Sequence, residues 1–402
     1  MLVLNVILIV LFTYLLGTTL YFLVLAIASL FPLRFKVRNR DKQHRIAVLI
    51  PGYKEDAVIV GVAKDALNQS YSKNDYEVVV IAHSFRQETL NELRKLPIRL
   101  IEVSFEKSTK SKALNRAMAE LKDDFDIALV LDADNLMDDD CLESINKAFG
   151  EDVVALQCHR TAKNLNTSFA VLDGLSEEIN NNIFRKGHKV LGLSSGLIGS
   201  GMAFRYPYFK RVMSEIDAVG GFDKELELRI LEDRHKIQYL NAVHVYDEKV
   251  QKSEVFYNQR RRWLSSQGRN LSYLGKGIRL LLQGNIDYFD KVYQWSHPPR
   301  MIYLGTLTVL SLLVILFHPG DTMVYAWSLL LTGGLLSFLL AIPRSYLNTN
   351  TLRALVSLPK AFFLMFKALF QVKGSNKEFI HTEHSTVDMV NVKKPGKARK
   401  AG

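Results

Sequence analysis

Two aspartates at the end of an apolar run have the spacing that most directly predicts chemistry. The stretch "IALVLDADNLMDDD", residues 127 to 140, passes from apolar β-forming residues to Asp132 and Asp134. Alternation along an extended strand places both carboxylates on one side. Two hard oxygen ligands that leave coordination positions for phosphate oxygens suit Mg²⁺ or Mn²⁺, which neutralises a departing diphosphate. The aspartates at 138 to 140 precede a helical pattern, and we interpret them as capping and first-turn charges.

The elements that must position these carboxylates alternate between strand and helix. Four buried strand patterns, "RIAVLIPGY", "YEVVVIAHS", "IRLIEVS" and "DIALVLDAD", are separated by helical patterns. This order predicts an α/β fold with a doubly wound, mostly parallel sheet. Ligands of such sheets bind beyond the carboxyl ends of the strands. We therefore expect one cleft to contain the residues that follow these strands, namely Tyr53, Lys54, Glu55, His83 and Asp132 to Asp134.

Three apolar segments predict that the chain crosses a membrane. Residues 4 to 31 contain no charged side chain and are long enough to span a hydrocarbon core of roughly 30 Å. Residues 301 to 317 and 323 to 342 form a second and third span around the turn "HPGD". The basic stretch "RFKVRNRDKQHR" after the first span, and Arg300 and Arg344 beside the hairpin, place the intervening domain in the cytoplasm by the positive-inside rule.

Residues 352 to 372 are apolar but interrupted by Lys360, Lys367 and Pro359. We favour a helix that lies in the membrane interface over a fourth span. The expected organisation is an anchor (1–33), a cytosolic α/β domain (42–297), a transmembrane hairpin (298–345), an interfacial helix (350–373) and a basic tail (374–402) in a multi-pass protein of the inner cell membrane.

The composition narrows the class of partner. The formal net charge is +11, and most of the excess flanks the apolar segments and the two ends. It lacks the interleaved aromatic residues of a nucleic-acid surface, so we expect membrane lipid and not nucleic acid as the partner. Cys141 and Cys158 have no metal-type spacing and are interpreted as reduced cytosolic thiols.

Several of these stretches together resemble one enzyme family. "LIPGYKE" resembles the strand and loop that open family 2 glycosyltransferases, which have a GT-A-like fold, and "SKALN" and "LDAD" resemble their lysine-containing stretch and D-x-D motif. "GLIGSGMAF" is similar to their glycine-rich acceptor segment. "QRRRW" at 259 to 263 matches the Q-x-x-R-W signature of the membrane-integrated branch that includes cellulose, chitin and hyaluronan synthases. The resemblance covers roughly residues 45 to 270, and "EFIHTEH" at 378 to 384 weakly resembles their gating segment.

The resemblance implies transfer of a sugar, with inversion, from a nucleotide-diphosphate sugar such as a UDP-sugar to a glycan or lipid-linked acceptor. Asp132 and Asp134 would bind the metal ion, and Asp132 would also contact the donor. Arg262 would assist the departing diphosphate, while Gln259 and Trp263 would line the acceptor path. For the arginines, a plain basic cluster at the membrane interface stays an alternative, and Trp263 can equally be an interfacial aromatic residue.

The remaining residues implied by the resemblance surround the two substrates. Tyr53 and Glu55 would meet the base and ribose, and Lys112 the base or diphosphate, although Lys112 can also be an ordinary lysine at a helix start. Where many relatives have an aspartate that contacts uracil, this sequence offers His83 or Ser84, which weakens the expectation of a uridine nucleotide. In the acceptor segment the residues implied are Gly199, Ser200 and Gly201, for which a plain glycine-rich turn is the alternative.

Position along a predicted helix selects the general base. The family motif is an acidic pair, and "LED" at 231 to 233 matches it literally. In the family, however, the aspartate begins a helix, and "KELELRILEDRHK" reads as that helix with Asp233 at its far end. Ten helical residues span about 15 Å, so Asp233 would lie too far from a reaction centre at the other end. We therefore assign the base to Asp223, after a Gly-Gly turn, although Phe222 replaces the family glutamate and a simple helix cap is the alternative.

The sequence thus favours a polysaccharide synthase, with a single transfer to a lipid or polyprenyl-phosphate acceptor as the near alternative and an inactive scaffold as the distant one. Three spans are fewer than the larger synthases have, so a secretion path would need a second copy or a partner.

Overall fold

The computed structural model describes residues 2–34, 37–39, 42–218, 220–318, 320 and 322–371, without the side chains of 2–5, 262, 263 and 265–271. The "EFIHTEH" segment and the predicted basic tail lie outside these residues, as do two residues of the "HPGD" turn.

A single eight-stranded sheet organises the domain between the apolar segments. The strands are β1 (Ile46–Tyr53), β2 (Tyr76–His83), β3 (Arg99–Val103), β4 (Ile127–Val130), β5 (Leu136–Met137), β6 (Ala155–Ala162), β7 (Met202–Arg205) and β8 (Ile237–Asp247). Their order across the sheet is β3-β2-β1-β4-β7-β6-β8-β5. The first four pair in parallel, as predicted. The other half is mixed, because β7 runs antiparallel to both β4 and β6, while β6 and β8 are parallel.

Sixteen α-helices are described. They are α1 (Leu2–Ser29), α2 (Ile59–Ala66), α3 (Gln87–Leu93), α4 (Lys110–Glu120), α5 (Cys141–Ala148), α6 (Ser168–Asn181), α7 (His188–Val190), α8 (Tyr206–Ser214), α9 (Phe222–Glu232), α10 (Ser253–Asn270), α11 (Leu274–Leu282), α12 (Ile286–Ser296), α13 (Arg300–Phe317), α14 (Thr322–Ala341), α15 (Thr349–Leu355) and α16 (Leu358–Phe370). A π-helical segment, Asn182–Gly187, joins α6 to α7.

The core lies on both faces of the sheet, because the central strands β1 and β4 are apolar over the positions from Ile46 to Ile50 and from Ile127 to Val130. Ile46, Val48 and Ile50 of β1 face one hydrophobic layer, which includes α2 and α5. The alternate residues Ala47 and Leu49 face the other layer, which includes α4, α8 and α9. A strand covered on both faces explains why its sequence shows a continuous apolar run rather than alternation. The chain therefore forms three layers, and the carboxyl ends of β1, β2 and β4 lie at one edge.

Three helices are long and apolar enough to cross a membrane among the described residues: Val6–Ser29, Arg300–Phe317 and Thr322–Ala341. They match the three predicted spans. α1 packs against α13 and α14 through a cluster that includes Phe22, Tyr303 and Trp327. The predicted interfacial helix at 350–373 is wrong as a single helix, because the chain forms α15 and α16 with Pro359 in the first turn of α16.

α1 is also bonded to elements of the α/β domain that follows it. The Tyr21 hydroxyl donates to Asp290 Oδ1 of α12 at 2.9 Å and lies 3.0 Å from His188 Nε2. His188 Nε2 lies 3.0 Å from the other oxygen of Asp290. A side chain added at Gly187 would meet the Leu25 carbonyl oxygen of α1. The first apolar helix is therefore fitted closely against the domain that follows it.

Candidate active site

Three carboxylates converge beyond the strand ends. Oxygens of Asp132, Asp134 and Asp247 lie within 4.8 Å of one another. Asp132 and Asp134 do not alternate along a strand as predicted, since β4 ends at Val130 and the chain turns, with Asn135 N–H donating to the Asp132 carbonyl at 3.1 Å. Asp247 ends β8. Three hard oxygen donors on firmly positioned backbone fit Mg²⁺ or Mn²⁺.

Hydrogen bonds fix this geometry. Asp134 is 1% exposed, and its Oδ2 accepts the Glu248 backbone N–H at 2.7 Å. The side-chain amide of Asn135 donates to Asp134 Oδ1 and to Asp247 Oδ1, at 3.2 Å each. These bonds tie the turn after β4 to the end of β8 and fix the carboxylates of Asp134 and Asp247 relative to each other.

Three cationic side chains surround the carboxylates. Lys110 Nζ contacts Asp132 and donates to the Gly199 carbonyl at 2.7 Å. Arg160 Nη1 lies 3.9 Å from oxygens of both Asp132 and Asp247, and Lys249 Nζ lies 2.7 Å from Asp247 Oδ2. This arrangement can stabilise negative charge that develops on a bound diphosphate.

The lysine nearest the carboxylates is not the predicted one. The structure gives the contact with Asp132 to Lys110, whereas Lys112 is the third residue of α4. The backbone N–H of Lys112 donates to the capping hydroxyl of Thr109 at 3.2 Å. Lys110 and Lys112 are only two residues apart, but the contact with Asp132 is made by Lys110, the first residue of the helix.

A buried glutamate of α6 holds two of the cations. Glu177 Oε1 accepts from Arg160 Nε at 2.7 Å, and the other oxygen contacts Lys249. Burial alone would raise the pKa of Glu177, but the adjacent Arg160 and Lys249 outweigh burial and lower it. Glu177 is therefore ionised and keeps both cations beside Asp247.

The aspartates after the metal motif bind elsewhere than predicted. Asp138 Oδ2 accepts the backbone N–H of His244 at 2.7 Å, and its Oδ1 accepts the Tyr246 hydroxyl at 2.8 Å. Asp140 occupies the cap position of α5 without a side-chain capping bond. The capping interpretation is thus wrong for Asp138, which anchors β8, whereas Asp140 holds the predicted cap position but makes no side-chain capping bond.

The predicted donor residues lie at the ends of β1 and β2. The rings of Tyr53 and His83 are 4.9 Å apart, and His83 Nδ1 lies 2.7 Å from the Ser108 hydroxyl. Burial, together with the charge of Lys54, lowers the pKa of His83, so its imidazole is neutral near pH 7. Glu55 is 7% exposed. Lys54 and Ser84 both have a φ of 57°, a strained conformation that is concentrated at functional sites.

The glycine-rich segment reaches the carboxylate cluster. The Gly199 carbonyl accepts from Lys110, and the buried Ser200 hydroxyl lies 3.3 Å from Arg160 Nη1. Gly199 has a φ of 89° and open space where a side chain would stand. A Cβ added at Gly201, by contrast, would lie only 3.2 Å from the side chain of Val245. A substrate therefore has room beside Gly199, whereas Gly201 is required for packing.

The structure places Asp223 and Asp233 at opposite ends of α9, as the sequence predicts. The cap position of α9 is occupied by Gly221, so Asp223 is a first-turn residue and not a cap. The ring of its neighbour Phe222 lies 5.7 Å from Lys110 Nζ, which contacts Asp132. Asp233, at the other end, accepts the Tyr208 hydroxyl at 2.9 Å.

The Q-x-x-R-W residues lie on α10. The side-chain oxygen of Gln259 is buried and accepts no hydrogen bond from the described residues. The side chains of Arg262 and Trp263 lie outside the described part of the chain, so their roles stay predictions.

Sequence reasoning missed Asp247, Lys110, Arg160 and Lys249. The strand-end argument used for Asp132 could have found Asp247, because "VHVYDE" also runs from apolar residues into acidic ones. Nothing in the sequence indicates that Arg160 pairs with Glu177.

Comparison with known proteins agrees with this architecture. Residues 44–266 match the model of the family described as "Glycosyltransferase like family 2". The match covers more than half of the 402 residues, so the chain belongs to this family of glycosyltransferases. Membership of the cellulose, chitin and hyaluronan synthase branch stays a prediction.

Two curated relatives are similar over the same part of the chain. Both are beta-monoglucosyldiacylglycerol synthases, from Nostoc sp. (strain PCC 7120 / SAG 25.82 / UTEX 2576) and Trichormus variabilis (strain ATCC 29413 / PCC 7937), with 26% and 25% identity over 232 residues. The aligned region is 54% of this chain and 48% of each relative, so the chain spans about half their length.

A solved structure supports the GT-A-like fold. The mannosyltransferase of Pyrobaculum calidifontis, determined in complex with GDP-Man and Mn²⁺, superposes with a TM-score of 0.52 at 16% identity. The superposition covers 91% of this chain and 98% of the other.

Proposed function

We propose that this protein is an inverting glycosyltransferase that moves a sugar from a nucleotide-diphosphate sugar to a hydroxyl group of a membrane-lipid acceptor. The observation that carries the proposal is the carboxylate cluster of Asp132, Asp134 and Asp247 beside the start of α9, in a chain with three candidate spans. A lipid acceptor is preferred to a growing polysaccharide because both curated relatives are named for a glucosylated diacylglycerol. The catalytic domain would face the cytoplasm at the inner membrane.

Asp223 is the proposed general base. The acceptor oxygen attacks the anomeric carbon opposite the diphosphate, the bond from that carbon to the diphosphate oxygen breaks, and the hydroxyl proton passes to Asp223. Asp132, Asp134 and Asp247 would hold Mg²⁺ or Mn²⁺, which supplies positive charge to the leaving diphosphate. Lys110 and Arg160 add charge on the same side, and Tyr53, Glu55 and His83 bind the nucleotide.

Polysaccharide synthesis is the second candidate, since the Q-x-x-R-W residues lie on a helix before the spanning hairpin. That function would add sugars repeatedly and would need a second copy or a secretion partner.

Product analysis separates the two candidates. Purified protein in vesicles, with diacylglycerol or a phosphate-bearing lipid as acceptor, would be incubated with Mn²⁺ and each of UDP-glucose, UDP-galactose, UDP-N-acetylglucosamine and GDP-mannose. We expect one UDP-sugar to release UDP in equal amount with a solvent-extractable glycolipid. A water-soluble polymer would favour the second candidate, and absence of nucleotide release with every donor would contradict both.

A further inference from the structure

Helix α6 bonds to arginines from three other elements. Asp173, Ser176 and Asn181 of α6 contact Arg260 of α10, Arg300 of α13 and Arg185 of the π-helical segment, in that order. Asp173 and Ser176 are one turn apart, so their side chains are neighbours on the helix surface. The three guanidinium groups are thus gathered along one helix at the point where α13 begins.

Only one of these arginines has a carboxylate partner. Arg260 pairs with Asp173. Arg300 Nη2 donates to the Ser176 carbonyl at 2.7 Å and to its hydroxyl at 2.8 Å, which are neutral oxygens. Arg185 donates to the Asn181 side-chain oxygen at 2.8 Å and to the Gly196 carbonyl at 3.2 Å, which are neutral as well. In the part of the chain that the structure describes, neither Arg185 nor Arg300 forms an ion pair.

The other acidic groups of α6 are already engaged. Glu177 pairs with Arg160 and Lys249, and Glu178 pairs with His159. They are therefore committed to the cations on the side of the carboxylate cluster. Arg185 is 4% exposed, and Glu177 and Glu227 act on its charge only from beyond ion-pair distance, so an anionic ligand in direct contact would stabilise this buried guanidinium.

The positive-inside rule alone does not explain where the guanidinium groups of Arg185 and Arg300 lie. An arginine that only satisfies the positive-inside rule extends its guanidinium to the headgroups. Arg300 instead turns inward and bonds to α6, and Arg185 is enclosed by protein. Each guanidinium nevertheless keeps N–H groups that make no hydrogen bond with described residues, which leaves donors for a ligand.

The position of the two arginines indicates which substrate carries the anion. Arg185 bonds to Gly196, three residues before the open position at Gly199, and Arg300 is the first residue of a candidate span. The ligand would lie between the acceptor segment and the membrane. The donor residues Tyr53 and His83 follow β1 and β2, in the other half of the sheet.

We propose that Arg185 and Arg300 bind the phosphate group of a lipid that enters beside α13, and that this lipid is the acceptor. The planar donor fork of arginine matches phosphate oxygens, and the amino end of α13 adds a favourable dipole. The inference rests on the proposed function and narrows the acceptor from membrane lipids in general to those with a phosphate.

Binding can be measured without sugar transfer. Purified protein in detergent with EDTA and no nucleotide sugar would be titrated with phosphatidic acid, which carries the phosphate but no free hydroxyl and is therefore a probe of binding alone. It would also be titrated with diacylglycerol of the same acyl chains and with inorganic phosphate, and its unfolding temperature followed. We expect saturable stabilisation by phosphatidic acid alone. Equal stabilisation by diacylglycerol, or by inorganic phosphate at the same concentration, would overturn a site for lipid phosphate.

Matched variants test the residues. Arg300→Gln and Arg185→Gln should each weaken the apparent affinity for phosphatidic acid by roughly tenfold or more, because each loses charged hydrogen bonds. Arg353→Gln removes an exposed arginine of α15 and should bind as the wild type does. Should a glutamine variant fail to fold, Arg300→Lys keeps the charge without the fork and should still bind more weakly than the wild type.

Unchanged affinity in the arginine variants would overturn the inference and leave the proposed function standing. Retained binding of phosphatidic acid in a protein that transfers no sugar would overturn the proposed function and leave the lipid-phosphate site standing.

Discussion

The two halves of the sheet contribute to the site in different ways. The parallel half, β3-β2-β1-β4, provides Asp132 and Asp134 directly after a strand, as a consequence of local chain order. The mixed half, β7-β6-β8-β5, provides Arg160 and Asp247 through pairings between distant strands. Its residues also hold Asp134, through the Glu248 N–H. The parallel half therefore supplies two of the three candidate ligands, whereas the mixed half supplies the third and fixes their geometry and charge.

The largest expected effect comes from removing one ligand of the parallel half. Asp132→Asn and Asp134→Asn should both reduce nucleotide release to background, because a hard ligand is lost beside a polyanionic donor. Asp134→Asn should in addition lower the free energy of unfolding by about 1 kcal/mol, since its carboxylate accepts the Glu248 N–H. Turnover and Mn²⁺ binding by calorimetry measure the first effect, and denaturant unfolding the second.

Asp139→Asn is the control, because Asp139 is exposed and outside the carboxylate cluster. Its activity should stay near that of the wild type. Wild-type turnover in Asp134→Asn would sink the assignment of the metal site.

Glu177→Gln tests the charge balance of the mixed half. It leaves the positive charges of Arg160 and Lys249 without their shared buried partner, and breaking such a pair costs about 3 to 5 kcal/mol. Denaturant unfolding of the variant in detergent measures the loss. Glu102→Gln, which removes an exposed ion pair with Arg94, should cost less than about 1 kcal/mol. Equal losses in the two variants would mean that Glu177 does not balance these cations.

Asp223→Asn tests the proposed base at the start of α9. We expect turnover to fall at least roughly a hundredfold, the usual scale for a missing general base, with donor affinity kept. Asp233→Asn should stay active, because it loses only contacts with Tyr208 and Arg211 at the far end of the helix. Single-turnover rates and donor titrations distinguish the two. The reverse result would make the literal acidic pair the catalytic one.

The smallest expected effect is on the pH dependence of stability. Burial alone would lower the pKa of His159, but Glu178, 3.0 Å away, outweighs burial and raises it. The pair therefore contributes fully below the unfolded histidine pKa of about 6.5, and its contribution is lost as pH rises through the folded pKa. His159→Gln should remove a decline of about 1 kcal/mol above pH 6.5.

His235→Gln is the matched control, since His235 forms no ion pair with a described carboxylate. Thermal unfolding between pH 6 and pH 8 compares the variants. If the decline in stability above pH 6.5 persists in His159→Gln, a group other than His159 causes it.

The parallel half could be predicted because its information is local. Apolar strands followed by polar residues identify Tyr53, His83 and Asp132, and the length of one helix separates Asp223 from Asp233. The mixed half could not, because β6 pairs with β7 and β8 across long stretches of chain. The contact between Lys110 and Asp132 could not be predicted, because the sequence does not fix the residue at which α4 begins, and the donor contact of Lys112 stays a prediction.

The bonds of α1 have a consequence for how the protein can be made and divided. Tyr21 satisfies Asp290 and His188, and Gly187 fits against the backbone at Leu25. A truncated protein that begins after residue 33 would open this buried polar group to solvent and uncover the apolar surface around it. The first helix is therefore packed as part of the enzyme along the side that bears Tyr21 and Leu25, and the boundary between this helix and the α/β domain is not a place where the chain can be cut.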